Sequence, residues 1–461
     1  MELTSPTFSK GEGLEKGNPI GGYRWFVVTL LLFSTTINYM DRQVISYLKE
    51  FFCSSKQSGG FGWTNVEYAY VTSAFTFVYA TFTILAGWII DKIGTKLGLA
   101  LSLISWSVFG MLNALAGTTV FLHVLIRSLF GMGEAANFPA SIKTVAEWFP
   151  KKERALATGI FNSGCNIGAM ISALFVPWCM VYFGREMGWK YAFLITGAIG
   201  FLWLIFWFIG YTIPSQSKFI GKAEFDYIHS DDPIQVQDKE MPLKVSWIKL
   251  FGHRQTWAFF WGKFLTDGIW WFLLFWLPDY LKKQFGMTGT DVMLPTFIVY
   301  GTAIFGSIFG GSLPMFLIHK GMDVFKARMN AMFLIALVPL SLFFTQYLAN
   351  KAYFGNSAVY LAVGVICLGA AAHQAWSANI FTTVSDMFPK AAVGSVIGIG
   401  SMSGGIGGVV MQQIAGHLTD FFKATPQIAY GIMFTICSVA YILAWGIMKI
   451  LVPKFKEIYQ I

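Results

Sequence analysis

The sequence predicts an all-α membrane protein of twelve transmembrane helices arranged as two six-helix bundles. Hydrophobic residues make up 55% of the 461 residues and charged residues only 12%, whereas soluble domains are about a quarter charged. Twelve segments are apolar enough and long enough to cross a bilayer, which takes about twenty residues of helix. A long polar stretch separates the first six segments from the last six. These observations exclude a soluble fold and make the lipid bilayer a partner of the chain.

The twelve segments are numbered below as the first to the twelfth span. Their predicted limits come from hydropathy and are approximate. They lie at about 23–48, 66–90, 97–117, 120–147, 155–182, 189–212, 256–281, 294–318, 329–348, 356–386, 392–418 and 427–450.

The polar stretch between the halves mixes proline, serine and charges of both signs, which is typical of a linker. The predicted organisation is a tail at 1–22, an N-terminal bundle at 23–212, a linker at 213–253, a C-terminal bundle at 254–452 and a tail at 453–461. Two six-helix halves joined by a long loop are typical of secondary transporters, which bind their substrate near the bilayer midplane between the halves.

Basic residues in the loops predict the orientation of the chain. Lysine and arginine follow the second, fourth, eighth and twelfth spans, whereas the loop after the third span is uncharged. Because cytoplasmic loops carry an excess of such residues, both termini are expected in the cytoplasm of a multi-pass protein of the cell (inner) membrane. Lys282 and Lys283 are exceptions, since they fall on the outer side. The net charge of +9 is explained in this way without nucleic acid as a partner.

A short motif, GWIIDKIGTK, follows the second span and resembles the loop signature of the major facilitator superfamily. A glycine at its start permits close helix packing, an acidic residue can pair with a helix N-terminus, and two lysines stay in the cytoplasm. We expect a gating role for Gly87, Asp91, Lys92, Gly94 and Lys96. Thr95 departs from the signature, which has a basic residue at that position.

A narrower resemblance covers most of the chain. The stretches NYMDRQVIS at 38–46, 127–150 and 263–281 are similar to the anion:cation symporter family, and the run KFLTD followed by WWF is closest to the bacterial hexuronate transporters. The resemblance implies the major facilitator fold and proton-coupled symport of organic anions, mostly sugar acids. It also implies a chain that is not an enzyme and has no cofactor.

Charged residues inside two spans are the main candidates for function, because a charge at that depth must face protein or water. Asp41 and Arg127 lie at similar depth and are expected to meet, either in a functional site or as a static pair that fixes packing. Glu134 lies two turns beyond Arg127 on the same face. Its depth suits a group that takes up and releases a proton, although a neutral, hydrogen-bonded structural role is the alternative. Asp41 and Glu134 are the predicted proton carriers.

Candidates for contact with the rest of a sugar acid are spread over five spans. Arg42, Arg127 or both would hold the carboxylate, because a guanidinium offers two parallel donors. The resemblance adds two tyrosines, paired asparagines on one face would bind hydroxyls, and tryptophan rings would stack on sugar C–H faces or mark the membrane interface. The predicted residues are Tyr39, Tyr79, Asn162, Asn166, Trp270, Trp271, His373 and Trp376. For His373 the alternative is a structural role, and the same alternative applies to the pair Lys263 and Asp267.

The hypothesis is therefore a proton-coupled symporter of a hexuronate, of glucuronate or galacturonate type, that works by alternating access, with a sugar acid and protons as its small partners and a monomer as its functional form. One rival is the symport of another anion, such as an aldonate, glucarate or sialic acid. A second is a non-transporting sensor on a transporter fold. A drug/proton antiporter is disfavoured because two membrane arginines suit anions. The chain has no P-loop for ATP and no paired metal ligands on one helix.

Overall fold

The computed structural model describes residues 21–230, 247–288, 290–388, 390–454 and 458. Most of both predicted tails and the middle of the linker lie outside these residues. Within them the chain is helical along all twelve spans. This confirms the all-α membrane fold of twelve transmembrane helices in two six-helix bundles.

The spans are generally a few residues longer than hydropathy predicted. In chain order their helices are Tyr23–Tyr47, Asn65–Ile93, Thr95–Leu112, Val120–Glu134 with Asn137–Trp148, Lys151–Tyr182, Gly184–Gly210, Arg254–Phe285, Met293–His319, Val324–Leu337 with a 3-10 continuation, Ser357–Met387, Lys390–Phe421 and Pro426–Leu451.

Nine of the described helices are long and apolar enough to cross a membrane by themselves. The first, fourth and seventh spans are not among them. Asp41 and Arg42 interrupt the apolar sequence of the first span, and Lys263 and Asp267 interrupt that of the seventh. The fourth span is divided into two shorter helices. The same three spans contain most of the charged residues that the sequence singled out.

The fourth span is interrupted at residues 135 and 136, between Val120–Glu134 and Asn137–Trp148. Pro139 has no backbone N–H, so it cannot bond the carbonyl of Ala135, and its ring crowds that carbonyl. The interruption was not predicted, and it follows Glu134 directly. Proline has a related effect in the ninth span, where Pro339 lies in a 3-10 segment, Val338–Phe344.

Among the described residues, the most extensive contacts between the two halves are made by three helix pairs. The second span packs against the eleventh, the fifth against the eighth, and the first against the seventh. The side of the molecule where the first span begins and the twelfth ends is called the terminal side below. The opposite side is called the far side.

A buried polar network, the far-side latch, joins the halves where the first span ends. It consists of Lys49, Asn65, Asp279, Asp420 and Tyr430. The ammonium of Lys49 lies 2.6 Å from a carboxylate oxygen of Asp279 and 2.7 Å from the amide oxygen of Asn65. Tyr430 donates a short hydrogen bond to Asp279. The carboxylate of Asp420 accepts from the backbone and side-chain nitrogens of Asn65, at 2.9 and 2.7 Å.

Two further hydrogen bonds continue this contact deeper between the second and eleventh spans. The amide of Gln412 donates to the hydroxyl of Thr76 over 2.9 Å, and Gln413 donates to Ser73 over 2.8 Å. The two lysines that broke the loop-charge pattern also bind acidic groups on this side. Lys282 pairs with Glu50 at 2.7 Å and Lys283 with Asp279 at 3.2 Å. The halves are therefore joined on the far side.

On the terminal side, Arg24 fastens the described part of the linker to the N-terminal half. Its guanidinium lies 2.9 Å from Glu153 and 3.3 Å from Glu224. Glu224 belongs to the short linker helix Lys222–Ile228 and is buried. The linker therefore starts as an ordered segment that is packed on the first bundle.

Replacing Asp279 with asparagine should separate the halves on the far side. The change leaves Lys49 buried without its counter-charge, and removal of one partner from a buried pair typically costs about 3–5 kcal/mol. A cysteine placed at Ser73, which is buried beside the eleventh span, should then react faster with a water-soluble maleimide. Cys53 is replaced by serine in the background protein.

Glu50→Gln is the matched control for this prediction. It breaks a pair whose glutamate is 52% exposed, and exposed pairs contribute about 0.2–1 kcal/mol. Equal labelling rates in Asp279→Asn, Glu50→Gln and the parent would show that the far-side latch does not hold the halves together.

Candidate functional site

Two glycines let the fourth span approach its neighbours closely. A side-chain carbon at Gly131 would lie 2.7 Å from the backbone oxygen of Phe75, and one at Gly133 would lie 2.8 Å from the backbone nitrogen of Trp106. No residue with a Cβ fits at either position without a shift of the backbone. The segment that carries Glu134 is therefore packed tightly against the second and third spans.

Glu134 forms a buried ion pair with Arg42. The Nε and Nη2 atoms of Arg42 lie 3.0 and 2.8 Å from the same carboxylate oxygen, Oε2. The side chains of Arg42 and Glu134 are 1% and 0% exposed. Among the described residues, the second oxygen of Glu134 has no hydrogen-bond partner. Half of the carboxylate is therefore available for a proton, water or another donor.

Four aromatic rings surround the guanidinium of Arg42, and together they are called the Arg42 cage. Its carbon Cζ lies 4.3 Å from the ring centre of Tyr39, 4.6 Å from Tyr79, 5.2 Å from Phe75 and 5.4 Å from Trp271. Cations at such distances are attracted to the ring faces. Trp271 comes from the C-terminal half, so the cage lies where the two halves meet.

Arg127 and Asp41 are both buried, but they do not form the predicted ion pair. No described carboxylate lies within 4.0 Å of Arg127, which donates instead to the backbone oxygen of Arg42 over 3.4 Å. Its guanidinium also faces Phe75, Phe130 and Phe193. Neither carboxylate oxygen of Asp41 has a hydrogen-bond partner in the described chain. The expectation of a contact between Asp41 and Arg127 was wrong because Arg42 pairs with Glu134 and Arg127 turns toward aromatic rings.

A second cluster lies in the C-terminal half. His373 stacks on Trp270 with 5.0 Å between ring centres and hydrogen-bonds the hydroxyl of Tyr441 over 2.8 Å. Trp376 lies edge-on to Tyr441 at 5.7 Å and is fully buried. Three predicted site residues, Trp270, His373 and Trp376, are therefore brought together. The hydrogen bond of His373 to Tyr441 of the twelfth span fits the structural alternative for the histidine.

The two asparagines of the fifth span differ in their surroundings. Asn166 is buried, and its amide oxygen has no hydrogen-bond partner among the described residues. Asn162 is exposed, and its amide oxygen accepts from the thiol of Cys165 at 3.6 Å. Both remain predictions as ligands for hydroxyl groups.

The seventh and eleventh spans pack through a row of glycines. Side-chain carbons at Gly404, Gly407 and Gly408 would collide with Asp267, Phe264 and Trp271 of the seventh span. The small residues of SMSGGIGG at 401–408 thus allow a tight contact between the two spans. It leaves room for the ion pair of Lys263 and Asp267, whose charged atoms lie 2.6 Å apart.

The loop motif after the second span is held by its backbone and by Thr95. Gly94 has a φ of 82°, a left-handed conformation that favours glycine. The hydroxyl of Thr95 donates to Glu147 over 2.9 Å, and Tyr211 donates to the same carboxylate over 2.8 Å. A residue that departs from the signature thus makes its own link to the fourth and sixth spans.

The remaining motif residues differ from the expectation or lie outside the description. Lys92 lies over the ring of Trp88 at 4.4 Å, and the backbone oxygen of Lys96 accepts from Trp207 over 3.0 Å. No described atom comes within 4 Å of a side-chain carbon placed at Gly87. The prediction of close helix packing at Gly87 was therefore wrong for this arrangement of the halves. The side chain of Asp91 is outside the described residues.

Sequence reasoning missed several residues at the site. Phe75 contacts both membrane arginines and lies one turn before Tyr79, and Asn38 lies one turn before Arg42 and accepts from it over 3.4 Å. Helical spacing from Tyr79 and Arg42 was the available signal for both. The far-side latch had no such signal, because its members are far apart in the chain.

Comparison with known proteins places the chain in a family. The sequence model of the major facilitator superfamily matches residues 31–412. The chain belongs to the major facilitator superfamily. Members of this superfamily are transporters and not enzymes, as the resemblance implied.

Curated relatives in this superfamily span almost the whole chain. A hexuronate transporter of Escherichia coli strain K12 is 30% identical over 436 residues, covering 93% of this chain and 95% of the relative. A D-galactonate transporter of Escherichia coli O6:H1 is 27% identical over 439 residues, covering 93% and 97%. A probable galactarate/D-glucarate transporter of Bacillus subtilis is 27% identical over 456 residues, covering 94% of each.

Solved structures have the same fold. A bacterial homolog of the human lysosomal transporter Spinster, in an inward-facing and unoccupied conformation, gives a TM-score of 0.71 at 17% identity and covers 95% of this chain and 98% of its own. A D-xylose-proton symporter gives a TM-score of 0.68 at 16% identity, with 95% and 100% covered.

The ion pair of Arg42 and Glu134 should contribute more to stability than the guanidinium of Arg127, which forms no ion pair with the described residues. Glu134→Met strips the counter-charge from Arg42 and should lower the free energy of unfolding by about 3–5 kcal/mol. Arg127→Met breaks no ion pair of the described residues and should cost clearly less. Thermal unfolding of the two purified variants measures this difference. Equal losses would mean that Arg127 has a charge partner as tightly bound as that of Arg42.

Proposed function

We propose that the chain is a proton-coupled symporter of a hexuronate, of glucuronate or galacturonate type. The observation that carries the proposal is the buried pair of Arg42 and Glu134 inside the Arg42 cage, where both halves of the molecule meet. A guanidinium in this position suits the carboxylate of a sugar acid. The curated relatives, which are named as transporters of hexuronate, galactonate and galactarate or D-glucarate, support the same class of substrate.

In this mechanism Glu134 and the substrate compete for one guanidinium. While Glu134 is charged, it occupies Arg42 through Oε2. A proton on Glu134 removes its charge and frees the donors of Arg42 for the substrate carboxylate. Binding of the anion in turn favours the protonated form of Glu134, because linkage between two ligands is reciprocal. Coupling then follows from a single exchange of partners.

Asp41 and Arg127 would supplement this exchange. Asp41 is buried without a hydrogen bond among the described residues, and an unpaired buried carboxylate is costly when charged. We assign it the second proton. Arg127 shares Phe75 with Arg42, so it lies close enough to add positive potential for the anion. Tyr39, Tyr79 and Trp271 would contact the sugar, with Asn162, Asn166, Trp270, His373 and Trp376 as outer candidates.

The orientation follows from the loop charges. The terminal side, rich in lysine and arginine, would be the cytoplasmic side of the inner membrane, and the chain would work as a monomer. The far-side latch would then close the external entrance. Alternating access would rock the bundles at 23–212 and 254–452 about the Arg42 cage, with the loop motif at Gly87, Asp91, Lys92, Gly94 and Lys96 as a gate on the cytoplasmic side.

A second candidate function is proton symport of another sugar acid. The relatives named for galactonate and for galactarate or D-glucarate match the chain over similar lengths, and Arg42 would serve any carboxylate. Binding measured for glucuronate, galacturonate, galactonate and glucarate with the purified protein separates these substrates.

Arg42→Lys is expected to weaken glucuronate binding at least tenfold, as measured by calorimetry. Lysine keeps the charge but loses the pair of parallel donors that fits a carboxylate. Arg127→Lys is the matched control and should weaken binding less, since Arg127 lies outside the cage. If Arg127→Lys loses binding while Arg42→Lys retains it, the carboxylate anchor is Arg127.

Glu134→Gln should separate substrate exchange from accumulation in proteoliposomes. Glutamine resembles the protonated glutamate, so counterflow of labelled glucuronate should continue. Uptake driven by a pH gradient should be lost, because no proton can leave this site. Asp41→Asn in the same liposomes is the control for the second carboxylate.

The uptake assay gives the opposite result if Asp41, and not Glu134, is the coupling carboxylate. Glucuronate concentrated by Glu134→Gln in response to a pH gradient would remove Glu134 as the coupling carboxylate. Asp41 would then take that role.

A further inference from the structure

The seventh span carries a second ion pair, whose two members differ in accessibility. The side chain of Lys263 is 6% exposed, whereas that of Asp267 is 18% exposed. Lys263 also lies over the ring of Phe381, 4.5 Å from its centre. In the part of the chain that the structure describes, Asp267 has no other polar partner than Lys263. One carboxylate oxygen therefore remains free to accept a hydrogen bond, with the lysine buried behind it.

Two observations place Asp267 close to the Arg42 cage. Along the seventh span it is one turn, about 6 Å, from Trp271, which belongs to the cage. Across the eleventh span, Gly404 leaves the space that the carboxylate of Asp267 occupies, and Gly405 packs on Ala80, the neighbour of Tyr79. A side chain at Gly404 would collide with Asp267, and one at Gly405 would collide with Ala80. Asp267 therefore lies one helical turn from a ring of the Arg42 cage.

We infer that Asp267 is a specificity-determining residue that selects hydroxylated monocarboxylates over dicarboxylates. The inference rests on the proposed function, since it needs a sugar acid anchored by Arg42. It assigns to the C-terminal half the recognition of the end of the substrate opposite to the carboxylate. Hexuronates and aldonates carry hydroxyl groups at that end, whereas aldarates such as glucarate carry a second carboxylate.

The chemistry of the pair favours hydroxyl groups. A carboxylate is an acceptor only, so it can bind the hydroxyl donors of a sugar. A second carboxylate on the ligand would meet a like charge, and such a repulsive element is how sites reject close analogues. Lys263 offsets this repulsion only in part, because it is one further turn away from Trp271 and is more deeply buried. A dicarboxylate would meet Asp267 first.

The test compares glucuronate with glucarate on the purified transporter by calorimetry. The wild type should bind glucuronate at least tenfold more tightly than glucarate. Asp267→Asn removes the like charge and leaves the ammonium of Lys263 without its partner, so the preference should shrink by tenfold or more. Lys263→Gln leaves Asp267 without its counter-charge and should widen the preference. Asp267→Glu keeps the charge and should preserve the wild-type order.

The outcomes separate this inference from the proposed function. A wild type that binds none of the sugar acids contradicts the proposed function. A wild type that binds glucarate as tightly as glucuronate, or an Asp267→Asn variant that keeps the full preference, overturns the role of Asp267 and leaves the transporter assignment intact. If Asp267→Asn does not fold, an unchanged preference in Lys263→Gln overturns the role in the same way.

Discussion

The ion pair between Arg42 and Glu134 is the interaction on which the centre of the molecule depends. Two charges without water need excellent geometry and further partners to offset their lost hydration. The surrounding structure supplies both. Gly131 and Gly133 let the fourth span pack closely on the second and third spans, and four aromatic rings surround the guanidinium. The requirement explains why the least apolar spans, the first, fourth and seventh, meet at the centre rather than face lipid.

The two sides of the molecule are held by different means. On the far side, buried charges and amides run from one half to the other through Lys49, Asp279 and Asp420. On the terminal side, the described ion pairs of Arg24 stay within the N-terminal half and its linker. The far-side latch must therefore break before the far side can open. The described ion pairs of Arg24 do not resist opening at the terminal side, because they do not reach the C-terminal half.

Hydropathy was sufficient to predict the fold, because most spans are long apolar segments whose limits depend on local sequence, and charges interrupt only a few of them. The seventh span was predicted at about 256–281 and extends over Arg254–Phe285. The sequence did predict which charged residues lie inside the spans, and Asp41, Arg127 and Glu134 are buried in protein as a charge at that depth requires. The sequence did not predict which of these residues pair with one another. Depth along a helix is readable from sequence, but the partner of Glu134 depends on how the first and fourth spans are rotated. The prediction of close packing at Gly87 failed for a similar reason, because that packing depends on how the two halves are arranged.

The interruption of the fourth span has a consequence for hydration. Pro139 deprives the backbone oxygen of Ala135 of its usual helical donor, directly beside Glu134 and deep in the membrane. Irregular backbone is tolerated at such depth only where it is buried in protein or lines a water-filled cavity. A water molecule bound to this oxygen would stand next to Glu134, the carboxylate to which we assign proton exchange. Pro139 would thus create a hydrated site for proton transfer within the hydrocarbon layer of the membrane.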